Sequence, residues 1–138
     1  IIMEIKENIA WVYYIGENAN TLDKHKCGKW MYFFDDKKFV SKICKEAVAR
    51  NIVVISKHSN AETGVACFYL NGDDLAGHKK VIGFFFEKNL IKRTKAGRFY
   101  NIPFKYDDQT RAMEYGFDFK AKLKLEDFIN LETGEWIR

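Results

Sequence analysis

The 138-residue chain contains one proline, no internal repeat and no stretch dominated by a few residue types. Linkers between domains are commonly rich in proline, glycine or polar residues, so their absence argues against a division of the chain. The length is sufficient for one domain with a sizeable hydrophobic core. We therefore expect a single domain over residues 1–138, with a core at 9–125 and a C-terminal tail at 126–138.

Long apolar runs are also missing. No segment approaches the ~18 apolar residues that cross a membrane, and the first residues lack the basic and apolar regions of a signal peptide. Cys27, Cys44 and Cys67 are odd in number and form no C-x-x-C pair. The sequence thus predicts no membrane partner, and it predicts reduced, mostly buried thiols in a cytoplasmic protein.

Motifs of catalysis and of metal binding are absent as well. The chain has no Walker A loop and no G-x-G-x-x-G. None of its histidines, His25, His58 and His78, is paired locally with a cysteine or aspartate at a family spacing. We therefore predict a protein that is not an enzyme, with no catalytic residues, no metal site and no cofactor.

Apolar and aromatic residues are plentiful. The chain is 47% hydrophobic and 16% aromatic, which is typical of a globular protein. Its formal net charge of +4 permits an acidic partner such as a nucleic acid. An ordinary domain with a few additional lysines has the same charge, and this is the interpretation that the charge favours.

Residues 27–106 alternate between strand and helix patterns. Six elements are predicted in the order strand, helix, strand, strand, helix, strand: Cys27–Phe34, a helix from Asp36, Ile52–Ser56, Val65–Leu70, a helix from Asp73, and Ile102–Tyr106. This order predicts an α+β fold, a single layered domain in which a mainly antiparallel sheet carries helices on one face.

One further strand is predicted at each end of this βαββαβ core. The first is Ile9–Ile15, which is β-branched and aromatic and is followed by Gly16. The second is residues 117–125, where alternate positions are apolar and most of the intervening ones are lysine. The outward face of that last strand would carry Lys120, Lys122 and Lys124.

Basic residues are densest between Lys88 and Arg98, a segment without an acidic residue. Such a segment is either a solvated loop or a surface that faces phosphates. A polar loop predicted at Ser56–Thr63 adds two further candidates. The residues predicted to contact phosphate are Lys57, His58, Lys92, Arg93, Lys95 and Arg98.

A second candidate surface combines lysines with an apolar residue. Phe84 lies nearly opposite Leu75 on the second helix, so it is either covered by another element or exposed. The lysines of the last strand either protect a sheet edge from aggregation or form a binding face. A protein-interaction site for an acidic protein surface would consist of Phe84, Lys120, Lys122 and Lys124.

Several segments resemble the cap-binding translation initiation factor 4E family and the small uncharacterised domains that share its fold. They are Gly28-Lys29-Trp30-Met31, the helix from Phe39 to Val48, the loop at 55–59, the strand at 64–69 and the segment 104–110. The resemblance covers most of residues 9–115. It implies a curved sheet with helices on one face.

Cap binding itself is not expected. Members of that family stack a methylated guanine between two tryptophans on loops, whereas Glu17–Lys26 has no aromatic residue, and Trp11 and Trp30 lie on predicted strands as core residues. The order of elements is also that of the RNA recognition motif. Val65 and Cys67, however, occupy the positions at which that motif stacks bases.

Two hypotheses about function follow. The leading one is a non-enzymatic binding module for a phosphate-bearing ligand, either single-stranded RNA or a nucleotide, held at a basic rim. The alternative is a small protein-interaction module, such as an inhibitor or adaptor, that acts through strand 117–125 and exposed apolar residues.

Overall fold

A computed structural model describes residues 3–112 and 119–138 of the chain. Strands run over β1 (Met3–Glu7), β2 (Trp11–Gly16), β3 (Cys27–Phe34), β4 (Ile55–Ser59), β5 (Gly64–Asn71), β6 (Pro103–Tyr106) and β7 (Leu123–Lys124). Helices run over α1 (Lys37–Ala49), α2 (Leu75–Glu87) and α3 (Asp107–Arg111). Single 3-10 turns occur at Ala19–Thr21 and Leu125–Asp127.

The strands form one open sheet in the order β1-β2-β4-β5-β3-β6-β7, and every neighbouring pair is antiparallel. The α+β class and the antiparallel sheet are therefore confirmed. The predicted βαββαβ core is present as β3, α1, β4, β5, α2 and β6. Among the described residues, no helix is long and apolar enough to cross a membrane.

Strand register shows that α1 and α2 cover the same face of the sheet. Directly opposed residues of antiparallel strands share a face, and Ser56 of β4 opposes Phe68 of β5. Ser56 Oγ donates to the Cys44 carbonyl of α1 at 2.8 Å, and the Phe68 ring packs on Phe85 of α2 at 5.2 Å between centroids. We call this side the covered face and the opposite side the open face.

Both long helices begin and end with short polar side chains. Asp36 and Asp74 accept hydrogen bonds from the backbone N–H groups of Phe39 and Gly77, so each carboxylate caps its helix. Just beyond the helix ends, Asn51 and Asn89 adopt the left-handed conformation at φ 58°. The predicted cap at Asp36 is confirmed, and the second helix starts one residue after Asp74.

Two histidines are buried in the covered face with opposite tautomers. His78 Nδ1 accepts from Trp30 Nε1 at 3.1 Å, so its Nε2 donates to the Gly72 carbonyl at 2.8 Å. His58 donates from Nδ1 to the Ser59 carbonyl at 2.9 Å, and its Nε2 accepts from the Tyr14 hydroxyl at 3.1 Å. Burial lowers the pKa of both imidazoles, which favours the neutral form.

The position predicted for β4 is wrong by three residues. Ile52 and Val53 do not enter the strand, because both backbone N–H groups bond to the Ala47 carbonyl at the end of α1. The strand therefore begins at Ile55 and includes Lys57 and His58, which had been predicted in a loop.

The predicted strand 117–125 is also largely wrong. Phe117 and Asp118 lie outside the described residues, and only Leu123–Lys124 pairs with β6. At Leu125 the chain turns into a 3-10 helix, because the Asp127 carboxylate accepts from the Lys124 backbone N–H at 2.8 Å. Alternation of apolar and charged residues was therefore not sufficient evidence for a long strand here.

At the other end of the sheet, β1 was not predicted. Its residues Met3–Glu7 are mostly charged and pair only with β2. Charged edge strands of this kind discourage pairing with other chains. The N-terminal strand predicted at Ile9–Ile15 is confirmed as β2, although it starts at Trp11.

Protonation of the buried histidines should destabilise the protein as the pH falls. The folded-state pKa of each lies below its ordinary value of about 6.5, so the unfolded chain binds protons more readily. The free energy of unfolding should decrease below pH ~6.5, by at most about 1.4 kcal/mol per pH unit for each histidine. Urea unfolding between about pH 7.5 and pH 5 measures this dependence.

A His78→Gln variant is the control for this experiment. The glutamine amide can donate to the Gly72 carbonyl as Nε2 does, but it does not titrate. The unfolding free energy of this variant should depend less steeply on pH in the same range. Equal pH dependence in the variant and the parent chain would contradict the role assigned to His78.

Candidate functional site

The open face of the sheet carries aromatic and basic side chains from neighbouring strands. One row across it consists of Tyr13, Lys57, Cys67 and Met31, which are mutually opposed in the register of β2, β4, β5 and β3. The next row consists of Ile15, Ile55, Tyr69, Lys29 and Lys105. Trp11 lies beside the first row on β2. These side chains face away from α1 and α2.

Lys57 occupies the centre of an aromatic cluster on this face. Its Nζ lies 3.8 Å from the ring centroid of Trp11, 5.6 Å from that of Tyr13 and 5.9 Å from that of Tyr69. Such ring faces attract a cation. Within the described part of the chain, Lys57 forms no salt bridge. Burial lowers its pKa, and the nearby charge of Lys29 acts in the same direction.

Lys29, the other central lysine of the open face, is neutralised by the protein itself. Its Nζ donates to Asp107 Oδ1 at 2.9 Å and to Thr110 Oγ1 at 3.0 Å, which anchors α3 at the edge of the face. The side chain is only 10% exposed. Lys29 therefore has a structural role, whereas the charge of Lys57 is available to a ligand.

A cavity of about 500 Å³ opens where β3 and β6 separate. The register of β6 with β3 is limited to Gly28 and Lys29, so the rest of β3 diverges from the chain that leads into β6. Apolar side chains form most of the wall: Met31, Phe33, Leu90, Ile102, Pro103 and Phe119. Two tyrosines, Tyr32 and Tyr100, complete the wall, and Lys92, Arg93 and Lys105 add positive charge.

The basic segment forms a hairpin over residues 92–100, which we call the basic hairpin. Backbone hydrogen bonds join Tyr100 N to Lys92 O at 2.8 Å and Thr94 N to Arg98 O at 2.7 Å. Gly97 makes the turn at φ 84°, a conformation that favours glycine. The cationic side chains of this segment therefore project from a hydrogen-bonded hairpin. Lys92 lines the cavity, whereas Lys95 and Arg98 are exposed nearer the turn.

Arg93 is held in place within the basic hairpin. Its guanidinium carbon lies 4.0 Å from the Phe99 ring centroid, and Nη1 donates to the Gly97 carbonyl at 2.7 Å. Phe99 in turn packs edge-on against Phe86 of α2 at 5.2 Å between centroids. A guanidinium has five N–H donors, so this arrangement leaves others for an anion.

His58 does not belong to this site. The sequence placed it beside Lys57 in a loop, but the two residues are neighbours on a strand and therefore point to opposite faces. His58 is 0% exposed on the covered face and is bound by Tyr14 and Ser41. The prediction that it contacts a phosphate is wrong.

Phe84 is not an exposed contact either. It is 2% exposed and packs against Phe68, and the charged ends of Arg50 and Lys88 lie over its ring at 5.5 and 5.8 Å. Lys88 also forms a salt bridge with Glu46 at 2.8 Å, so its charge is balanced and does not add to that of the basic hairpin. The apolar component of the predicted protein-interaction site is therefore missing.

The three lysines predicted for the last strand do not share one strand face. Lys120 and Lys122 are exposed but precede β7, and the Lys120 carbonyl accepts from Gln109 Nε2 at 3.0 Å. Lys124 pairs with Glu126 at 3.3 Å. No strand surface of the kind that the alternation predicted exists in the described part of this segment.

The sequence did not indicate the aromatic residues of the open face as candidate site residues. Trp11 was predicted to be a core residue, but it is only half-buried and lies opposite the helices. A strand alternates between its faces, so Trp11 and Tyr13 had to lie opposite Val12 and Tyr14. That alternation could have indicated that one of these two pairs lies on the face without helices. The position of Tyr69 beside Lys57 could be recognised only from the pairing of β4 with β5.

Cys27 and Cys67 lie in environments that do not activate a thiol as a nucleophile. Burial raises the pKa of the Cys67 thiol, and burial together with Asp107 raises the pKa of Cys27 to about 11. Both environments favour the unreactive thiol over the thiolate. No group of three or more metal-ligating side chains is found over residues 3–112 and 119–138.

No protein-family model, curated protein or solved structure matches this chain at a significant level.

The Lys57 ammonium should lose its proton at lower pH than the exposed lysines of the chain. Burial among aromatic rings removes water from the charged form and lowers its pKa. Carbon-13 NMR of reductively methylated protein follows each lysine during a pH titration, and a Lys57→Arg variant identifies the signal. A Lys57 signal that titrates together with the exposed lysines would contradict this environment.

Proposed function

We propose that this chain is a non-enzymatic module that binds single-stranded RNA, or a nucleotide of the same chemistry, across the open face. The observation that carries the proposal is the aromatic cluster around Lys57 on a sheet face that also has the basic hairpin at its other side. Sheets that bind single-stranded RNA stack unpaired bases on aromatic side chains and contact phosphates with basic ones.

The spacing of these groups suits a short stretch of nucleic acid. Lys57 and Met31 stand in one row, and their strands are two positions apart, which corresponds to about 10 Å. Met31 lines the cavity together with Lys92 of the basic hairpin. A strand of RNA could thus contact the aromatic cluster at one side and the basic hairpin at the other.

Lys57 is the central contact in this proposal. Its ammonium has aromatic partners but, within the described residues, no carboxylate partner, so a phosphate can supply the missing negative charge. Lys92, Arg93, Lys95 and Arg98 then add sequence-independent contacts to the backbone. Recognition of particular bases is not part of the proposal.

The resemblance to the initiation factor 4E family stays a prediction, as does the cytoplasmic location. The arrangement proposed here differs from cap binding because the aromatic residues lie on strands rather than on loops. The alternative function, a protein-interaction module, has less support, since Phe84 is buried and the lysine-faced strand is largely absent.

Loss of charge at the basic hairpin should weaken RNA binding. The variant Lys92→Glu/Lys95→Glu/Arg98→Glu spares Arg93, which packs on Phe99 and is needed for the hairpin. Fluorescence anisotropy with a short labelled RNA should show affinity falling about 20-fold between about 50 and 200 mM salt if three phosphates are neutralised. The triple variant should bind more weakly and with a smaller salt dependence.

The matched control is Lys38→Glu/Lys42→Glu/Lys45→Glu on α1. It makes the same change in net charge at exposed positions of a helix on the covered face. This control should bind like the parent chain. Equal losses in both triple variants would show a net-charge effect and contradict the proposed interface, and no binding at low salt would exclude the function.

A further inference from the structure

The cavity between β3 and the basic hairpin is not required for stacking bases or for contacting phosphates. Its volume of about 500 Å³ lies within the range of about 300–1,000 Å³ that is usual for small-molecule sites. Leu90 and Ile102 form deeply buried parts of its wall. The cavity is therefore a half-open cleft whose inner wall is formed by core residues.

The wall of this cavity is poorly suited to reading a nucleobase. Base recognition uses hydrogen bonds from amides, carboxylates or hydroxyls to the base edges. Among the described lining residues, the uncharged polar side-chain atoms are the hydroxyls of Tyr32 and Tyr100, and none of these residues is an acid or an amide. An apolar ligand body matches such a wall better than a base does.

Two large aromatic residues are left exposed at this cavity. Phe33 is 62% exposed and Tyr100 is 52% exposed, although both line the same pocket. Clustered exposure of large apolar side chains commonly marks a binding site. A bound apolar group would remove both rings from water, which is favourable.

Positive charge lies beside this apolar wall. Lys92 and Arg93 line the cavity, and neither forms a salt bridge within the described residues. Arg93 is fixed by the Phe99 ring and the Gly97 carbonyl, so little ordering is required when it binds an anion. The charge and the apolar wall together specify an amphiphilic anion.

We propose that this cavity binds a small molecule with an apolar body and one anionic head group, either a carboxylate or a phosphate. The apolar body lies between β3 and Ile102, and the head group contacts Lys92 and Arg93. Lys92 and Arg93 are assigned to both sites, whereas the apolar wall serves only the amphiphile and the aromatic cluster around Lys57 serves only RNA. Binding of RNA and of the amphiphile can therefore succeed or fail separately.

Calorimetric titration with three probes of equal chain length tests the proposal: decanoate, decyl phosphate and the neutral decanol. At least one of the two anions should bind saturably with one-to-one stoichiometry, and decanol should bind at least about tenfold more weakly. The anion that binds more tightly identifies the head group. Equal binding of decanol, or no saturable binding of either anion, would overturn the proposal.

Two single substitutions separate the charge contribution from non-specific attraction. Lys92→Glu should weaken anion binding by at least about tenfold, because it reverses the charge at the head group. Lys95→Glu makes the same change in the same hairpin but does not line the cavity, so it should leave binding unchanged. Equal losses in both variants would contradict a localised head-group site.

Phe33→Asp tests the apolar wall without depending on the core. Phe33 is largely exposed, so its replacement should leave the fold intact while it removes a wall residue and adds a repelling charge. Anion binding should be lost in this variant. Undiminished anion binding in Phe33→Asp would contradict this wall. RNA binding is measured in the same samples, because a parent chain that binds RNA but neither anion would refute the cavity proposal alone.

Discussion

The indole of Trp30 joins the sheet, the second long helix and the C-terminal tail. It is 1% exposed, its Nε1 donates to His78 of α2, and its ring contacts Phe104 of β6 and Phe128 of the tail. Because neighbouring strand residues point to opposite faces, a buried Trp30 places Lys29 and Met31 on the open face. A shift of β3 by one residue would exchange the two faces. The burial of Trp30 therefore determines which residues of β3 lie on the open face.

The two faces of the sheet differ in how their titratable side chains are stabilised. On the covered face, the buried imidazoles of His58 and His78 stay neutral and have hydrogen-bond partners at both ring nitrogens. On the open face, Asp107 balances Lys29, whereas Lys57 is surrounded by aromatic rings. The ammonium group of a lysine in that position has little water around it, and this burial lowers its pKa. An incoming phosphate would improve its environment, which is the physical basis of the proposed function.

Most of the fold could be predicted from the sequence, because β3 and β5 are runs of apolar and aromatic residues, and the two long helices have apolar faces and aspartate caps. Segment 117–125 has a clear period but forms little strand, since a local turn at Leu125 competes with pairing. The candidate site was harder to predict from the sequence than the fold. The basic hairpin was recognised from its composition, but the roles of Lys57 and His58 depend on the strand to which they belong. The cavity arises from the limited pairing of β6 with β3, which no local pattern reveals.

The three tryptophans offer a direct test of the claim that ligands bind on the open face. Trp11 lies on the open face, Trp30 is buried under the covered face, and Trp136 lies in the C-terminal tail. Each indole N–H gives a separate signal in a nitrogen-15 NMR spectrum, and a Trp11→Phe variant identifies the first. Titration with a short single-stranded RNA should shift the Trp11 signal and leave those of Trp30 and Trp136 in place. Saturable binding that shifts Trp136 or Trp30 while Trp11 stays unchanged would contradict the account.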